Sequence, residues 1–136
     1  MKRRPRILLA DDHTMLLDAF RRLLEPRCEI VGTACDGRAL IDLAANTRPD
    51  VIVLDITMPR LNGLDATGVI RKEVPSAKVV ILSQHQPALM KQVALTAGAG
   101  AYVTKSEVSR ELMAAIDGLL SNGSSQPVED IGKRPS

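Results

Sequence analysis

Apolar positions along this chain alternate between two patterns. Arg6–Ala10 (RILLA), Val51-Ile52-Val53-Leu54 and residues 78–82 (KVVIL) are short apolar runs without polar alternation. Such runs suit strands covered on both faces, as in parallel α/β sheets. Between them apolar residues recur at helical spacing. Over residues 14–25 they are Met15, Leu16, Ala19, Phe20, Leu23 and Leu24, and Pro26 stops the run. A weaker strand is expected at Glu29–Ala34, followed by Asp36 as N-cap of a helix with Ala39, Leu40, Leu43 and Ala44 on its apolar face.

The second half repeats the scheme. Asn62 can cap a third helix, with Asp65 at its third position and Leu64, Val69 and Ile70 along it, and Pro75 ends it. Pro87 suits the first turn of a fourth helix reaching Ala97, with Leu89, Val93 and Ala94 on one face and Gly98 past its end. Residues 99–103 form a short fifth strand, and Ser109 caps a last helix bearing Leu112, Ala115, Ile116 and Leu119. Five βα units in strict alternation predict a doubly wound (βα)5, flavodoxin-like, three-layer α/β domain with a parallel sheet. Strands one, three and four are the most apolar and should be central, which the order 2-1-3-4-5 satisfies. Residues 1–120 form this domain. From Ser121 onward Asn, Gly, Ser, Gln and Pro dominate, and residues 121–136 are expected to be a flexible tail or the start of an interdomain linker.

Composition narrows the function classes. The 136 residues fit one domain. Aromatics are limited to Phe20 and Tyr102, which argues against a single-strand nucleic-acid platform of stacked rings. Net charge is +2, and the basic cluster Lys2, Arg3, Arg4 and Arg6 reads as a solvated terminus. No apolar run approaches the ~18 residues of a membrane span, and no signal-peptide pattern is present, so the expected location is cytoplasmic, with no membrane partner. Cys28 and Cys35 bracket a strand. Seven steps of about 3.3 Å would separate them by roughly 23 Å, too far for a disulfide, and both read as small buried hydrophobes.

The candidate chemistry lies at the strand ends. Placing the carboxyl ends of strands one, three, four and five side by side gathers Asp11, Asp12, Asp55, Ser83 and Lys105. Each alone has a bland reading, Asp55 as a turn cap among them. Four of five strand ends converging on one chemistry outweighs those readings. Clustered carboxylates repel one another unless protonated or joined by a cation. Mg²⁺ (or Mn²⁺) suits them, because it takes a few carboxylates, waters and a phosphate oxygen. Asp11 or Asp12 with Asp55 could supply carboxylates, and the backbone carbonyl near Thr57 a further ligand. Asp55 could also attack phosphorus to form an aspartyl phosphate, with Lys105 and the Ser83 hydroxyl on the phosphoryl oxygens.

These residues resemble the response regulator receiver domains of two-component signalling. The likeness rests on LLADDH, VIVLDITMPRLNGLDA, VVILSQH and GAGAYVTKS, spans roughly residues 6–120, and is nearest the NarL/FixJ-type subgroup in DDH and GAYVTK. The resemblance implies that Asp55 accepts a phosphoryl group from a sensor histidine kinase or phosphotransfer protein. Asp12 is then the principal Mg²⁺ ligand, with Asp11 assisting, and Asp55 and the Thr57 carbonyl completing the protein's share. Ser83 and Lys105 sense the phosphoryl group, and Tyr102 is the aromatic switch that turns inward. The surface of the fourth helix, fifth strand and fifth helix would shift to control an output, transcription in the full-length protein. Thr57 and His85 occupy positions associated with phosphate lifetime. A homodimer is compatible with this reading, and DNA would be bound only through a C-terminal helix-turn-helix absent from this chain.

The resemblance implies no enzyme turning over external substrates, only self-phosphorylation and autodephosphorylation. A phosphatase with an aspartyl-phosphate intermediate would need a second Asp where Thr57 stands. A flavodoxin-like cofactor binder would need a phosphate loop in place of the acidic DDHT. A degenerate receiver serving only as an interaction module would lack the complete pocket.

Overall fold

The structure, a computed structural model, describes residues 4–84 and 88–122. Five strands, β1 (Arg6–Ala10), β2 (Glu29–Ala34), β3 (Val51–Asp55), β4 (Lys78–Ser83) and β5 (Ala101–Thr104), alternate with five helices. These are α1 (Thr14–Leu24), α2 (Gly37–Thr47), α3 (Gly63–Glu73), α4 (Ala88–Thr96) and α5 (Val108–Asn122), with a 3-10 turn at Lys105–Glu107. All strand pairs are parallel and the sheet order is β2-β1-β3-β4-β5, the expected order, with the three most apolar strands at its centre.

Side chains alternate between two cores because successive strand residues point to opposite faces. Leu8, Ile52, Leu54, Ile81 and Tyr102 face α2, α3 and α4, where Leu40, Ala44, Ala66, Ile70 and Ala94 cover them. Ile7, Leu9, Val53, Leu82 and Val103 face α1 and α5, packing on Leu17, Phe20, Leu24, Leu112, Ile116 and Leu119. β2 is a partly exposed edge, whereas all four residues of β5 are buried although it too is an edge. Its faces are covered by α4 and α5, so edge position costs it hydrogen-bond partners but not side-chain burial.

Two predicted caps form. Asp36 accepts from the Ala39 N–H and Asn62 from the Asp65 N–H, both at 2.9 Å. Other expectations are corrected. The buried stripe of α1 is Leu17, Phe20 and Leu24, while Met15, Ala19 and Leu23 are exposed. The helix is rotated so that its Leu17 and Phe20 meet the α5 side of the core. Val93 is likewise exposed, and α4 buries Ala94 with Met90 packed beside it. Ser109 does not cap α5, which begins at Val108 directly after the 3-10 turn. The fifth strand starts at Ala101, because Gly98 holds φ +115 and Gly100 only then joins β4 through its N–H to Val79 O. Cys28 is buried but Cys35 is exposed just beyond β2, and both are free thiols. α5 continues to Asn122, two residues past Leu120.

The basic N-terminus is anchored where it is described. Arg4 donates to the carbonyls of Glu25 and Cys28, at 2.9 and 2.6 Å, and Arg6 to those of Thr47 and Arg48. Both guanidinium groups thereby satisfy carbonyls left open where α1 and α2 end. Pro87, Leu89 and His85 lie outside the residues whose side chains are described.

Candidate functional site

Backbone ladders deliver each candidate residue to one end of the sheet. Asp55 is the last residue of β3, in register with Leu82, and Ser83 is the last of β4, in register with Thr104. The Asp11 N–H bonds Ala34 O, extending β1 by one step, and Lys105 follows β5 at the start of the 3-10 turn. A pocket of about 320 Å³ opens there, lined by Asp12, His13, Asp55, Ile56, Thr57, Ser83, Gln84 and Lys105. A larger hollow of about 610 Å³ lies at the opposite end of the sheet, among Arg4, Asp50, Met113 and Asp117. The smaller one is the chemically equipped site, because strand carboxyl ends converge only there.

The loop after Asp55 is held by close backbone approach. A Cβ on Gly63 would stand 2.5 Å from the Asp55 carbonyl oxygen, and the Gly63 N–H bonds Ile56 O at 2.8 Å. A Cβ on Gly37, the first residue of α2, would stand 2.1 Å from Leu61 O. Only glycine allows α2 and α3 to clamp the loop this tightly. Arg60 adopts φ +70 and lies 3.6 Å from Asp36, tying the loop to the α2 cap.

The electrostatics centre on two buried carboxylates and one ammonium. Asp11 is fully buried and Asp55 is 4% exposed. Lys105 Nζ stands 2.8 Å from Asp11 Oδ2 and 3.3 Å from Asp55 Oδ1. Burial, then the charge of Asp11, push the Asp55 carboxyl above its ordinary range, against the pull of Lys105 and the Thr57 backbone N–H. Burial opposes charge on Lys105, but its close approach to Asp11 and the charges of both carboxylates outweigh that and raise its pKa. One cation thus serves two carboxylates. Asp11 Oδ2, although an ion-pair partner of Lys105, has no hydrogen bond of good geometry among the described residues.

The acidic pair divides its work. Asp11 lies inside, whereas Asp12 is exposed on the pocket rim. His13, a residue the strand-end pattern does not single out, has Nδ1 3.4 Å from Asp11 and 3.3 Å from Asp12, and its backbone N–H donates to Asp11 Oδ1 at 2.9 Å. Ligand atoms of Asp11, Asp12 and His13 lie within 4.8 Å of one another. Excess negative charge, hard oxygen donors and an underbonded Asp11 oxygen fit a small divalent cation. Thr57 is exposed at the rim, and Tyr102 is buried in the core cluster that contains Ala94 and Ala99. Asp11, Asp12, Asp55, Thr57, Ser83 and Lys105 are therefore brought together, Tyr102 lies one strand position before Val103 on the opposite face, and His85 is outside the described residues.

A family model described as the response regulator receiver domain matches residues 7–117. The chain belongs to that family. The transcriptional regulatory protein MctR of Rhizobium johnstonii is 34% identical over 127 residues, covering 90% of this chain and 59% of that protein. The nitrate/nitrite response regulator protein NarL of Escherichia coli is 35% identical over 114 residues, covering 81% and 52%. A LuxR-family two-component response regulator from an Aurantimonas species superimposes with a TM-score of 0.83 at 37% identity, over 88% of this chain and 87% of the other. The receiver thus has NarL-type transcriptional regulators among its relatives, in agreement with DDH and GAYVTK, and it spans just over half the length of MctR and NarL. Receivers are signalling domains that typically bind Mg²⁺ at their acidic pocket, and the pocket here has the donors to do so. No helix among the described residues is long and apolar enough to cross a membrane.

Proposed function

We propose that Asp55 is the phosphoacceptor of this receiver. The observation that carries the reading is the bridge of Lys105 between Asp11 and Asp55 at the floor of the pocket. It positions an ammonium where charge develops on a phosphoryl group attached to Asp55, and it holds the Asp55 carboxylate in a fixed rotamer. An Asp55 oxygen attacks phosphorus of a phosphohistidine on a sensor kinase or phosphotransfer protein. The P–N bond breaks and its electron pair returns to the imidazole.

Asp12, Asp11, Asp55 and the Thr57 carbonyl would hold Mg²⁺ (or Mn²⁺), which when bound supplies charge neutralisation on the phosphoryl oxygens. Lys105 pairs with one of those oxygens and the Ser83 hydroxyl donates to another. The movement of Ser83 and Lys105 favours one packing of Tyr102 and biases the surface of α4, β5 and α5, a population shift driven by roughly −1.5 to −2 of added charge. Thr57 and His85 tune phosphate lifetime, and His85→Ala should change the autodephosphorylation rate.

Residues 1–120 would act as the cytoplasmic receiver unit, with residues 121–136 a tail or linker toward an output such as DNA binding. Incubation with Mg²⁺ and a small phosphodonor, followed by intact mass, tests the central point. One phosphoryl adduct is expected on the wild type and none on Asp55→Asn. No adduct on the wild type, or an equal one on the variant, overturns it.

A further inference from the structure

Thr104 is the last residue of β5, is 7% exposed, and its hydroxyl oxygen has no hydrogen-bond partner among the described residues. A buried hydroxyl without a partner is unfavourable and uncommon in a well-packed domain. Its register partner is Ser83, also 7% exposed, which lines the pocket. The two preceding register pairs fix the direction of these side chains. Ile81 and Tyr102 both lie in the core under α2, α3 and α4, and Leu82 and Val103 both lie in the core under α1 and α5. By strand alternation Ser83 and Thr104 share the first of these faces, side by side on strands about 4.8 Å apart. Two hydroxyls therefore form a row from the edge strand to the phosphoryl pocket.

We propose that Thr104 is a positioning residue for Ser83: in the phosphorylated receiver its O–H donates to Ser83 Oγ while the Ser83 O–H donates to a phosphoryl oxygen. The inference rests on the proposed phosphoacceptor role of Asp55. A hydroxyl carries one donor and two acceptor lone pairs, so Ser83 can give its proton to the phosphoryl group and still accept from Thr104. The chain Thr104–Ser83–phosphoryl polarises each bond in turn, which strengthens the Ser83 contact and locks its rotamer. In the unmodified receiver the same hydroxyl is a buried donor without a partner among the described residues. Phosphorylation satisfies it, so part of the preference for the modified state comes from a cost carried by the unmodified one. Thr104 touches no reacting atom and acts only through Ser83.

The test uses beryllofluoride with Mg²⁺, a tetrahedral stand-in for a phosphoryl group on Asp55, and reads its affinity together with the melting temperature of the unmodified protein. Valine matches threonine in shape without the hydroxyl. Thr104→Val should melt at or above the wild type when unmodified, since an isostere that removes a buried unpaired hydroxyl is neutral to stabilising. The variant should also bind beryllofluoride about fivefold more weakly, the factor expected for one hydrogen bond. Thr104→Ser should recover most of the affinity. Beryllofluoride affinity of Thr104→Val within twofold of the wild type overturns the proposal, and so does a loss of stability or failure to fold in that variant. Absence of any response in the wild type would instead strike the phosphoacceptor reading itself.

Discussion

Lys105 Nζ lies 2.8 Å from the fully buried Asp11 carboxylate, closer than the 3.3 Å that separates it from Asp55. The lysine is therefore first a counter-charge for Asp11 and second a partner of Asp55. Lys105→Met should leave two buried carboxylates without a cation, costing about 3 kcal/mol of stability in the presence of a chelator. Millimolar Mg²⁺ should restore more stability to this variant than it adds to the wild type. Chemical denaturation with and without Mg²⁺ measures both.

Asp55 carries a stability cost of its own. Its folded pKa is raised, chiefly by burial and then by Asp11, so its contribution is fully present below the ordinary carboxylate pKa of about 3.9 and is lost as pH rises through the folded value. Without divalent ions, Asp55→Asn should therefore melt above the wild type at neutral pH. That advantage should shrink as pH falls and be gone near pH 4. A thermal-melt series across pH decides it, and a gap independent of pH would contradict the assignment.

Glycines at the clamp and on the helix surface should respond oppositely to the same change. Gly63→Ala must move the backbone at Asp55, with an expected cost of about 2 kcal/mol and slower phosphorylation by a small phosphodonor. Gly68 lies within α3 with no atom within 4 Å of an added Cβ, so Gly68→Ala should stabilise by about 1 kcal/mol and leave phosphorylation unchanged.

The two thiols should separate cleanly. Cys28 is fully buried and burial pushes its thiol pKa up, whereas Cys35 is exposed. A disulfide reagent at neutral pH should modify one thiol promptly in the native protein and two in denaturant. Cys35→Ser should abolish the prompt phase.

Much of the architecture could be read along the chain because strands buried on both faces leave unbroken apolar runs. RILLA, VIVL and KVVIL mark the three central strands, and Asp36 and Asn62 mark two helix starts. Helix faces were less legible. In α1 the residues Met15, Leu16, Leu17, Ala19, Phe20, Leu23 and Leu24 are apolar around more than half the circumference, so periodicity alone could not exclude Met15 and Leu23. The 3-10 turn after Lys105 displaced the expected Ser109 cap, a tertiary choice made by seating Val108 in the core.

The candidate site divides in the same way. Local sequence determined which chemical groups stand at the strand ends, because a strand that is apolar throughout and ends in an acid, hydroxyl or lysine must deliver that group to the sheet's carboxyl edge. Only the tertiary structure decided how those groups share their charges. Whether Asp11 or Asp12 is buried, where His13 sits, how Gly37 and Gly63 clamp the loop, and which hydroxyl neighbours Ser83 all depend on residues distant in sequence. Burial and proximity are properties of the assembled sheet, and parallel pairing of β1, β3, β4 and β5 brings Asp11, Asp55, Ser83 and Lys105 within reach of one another.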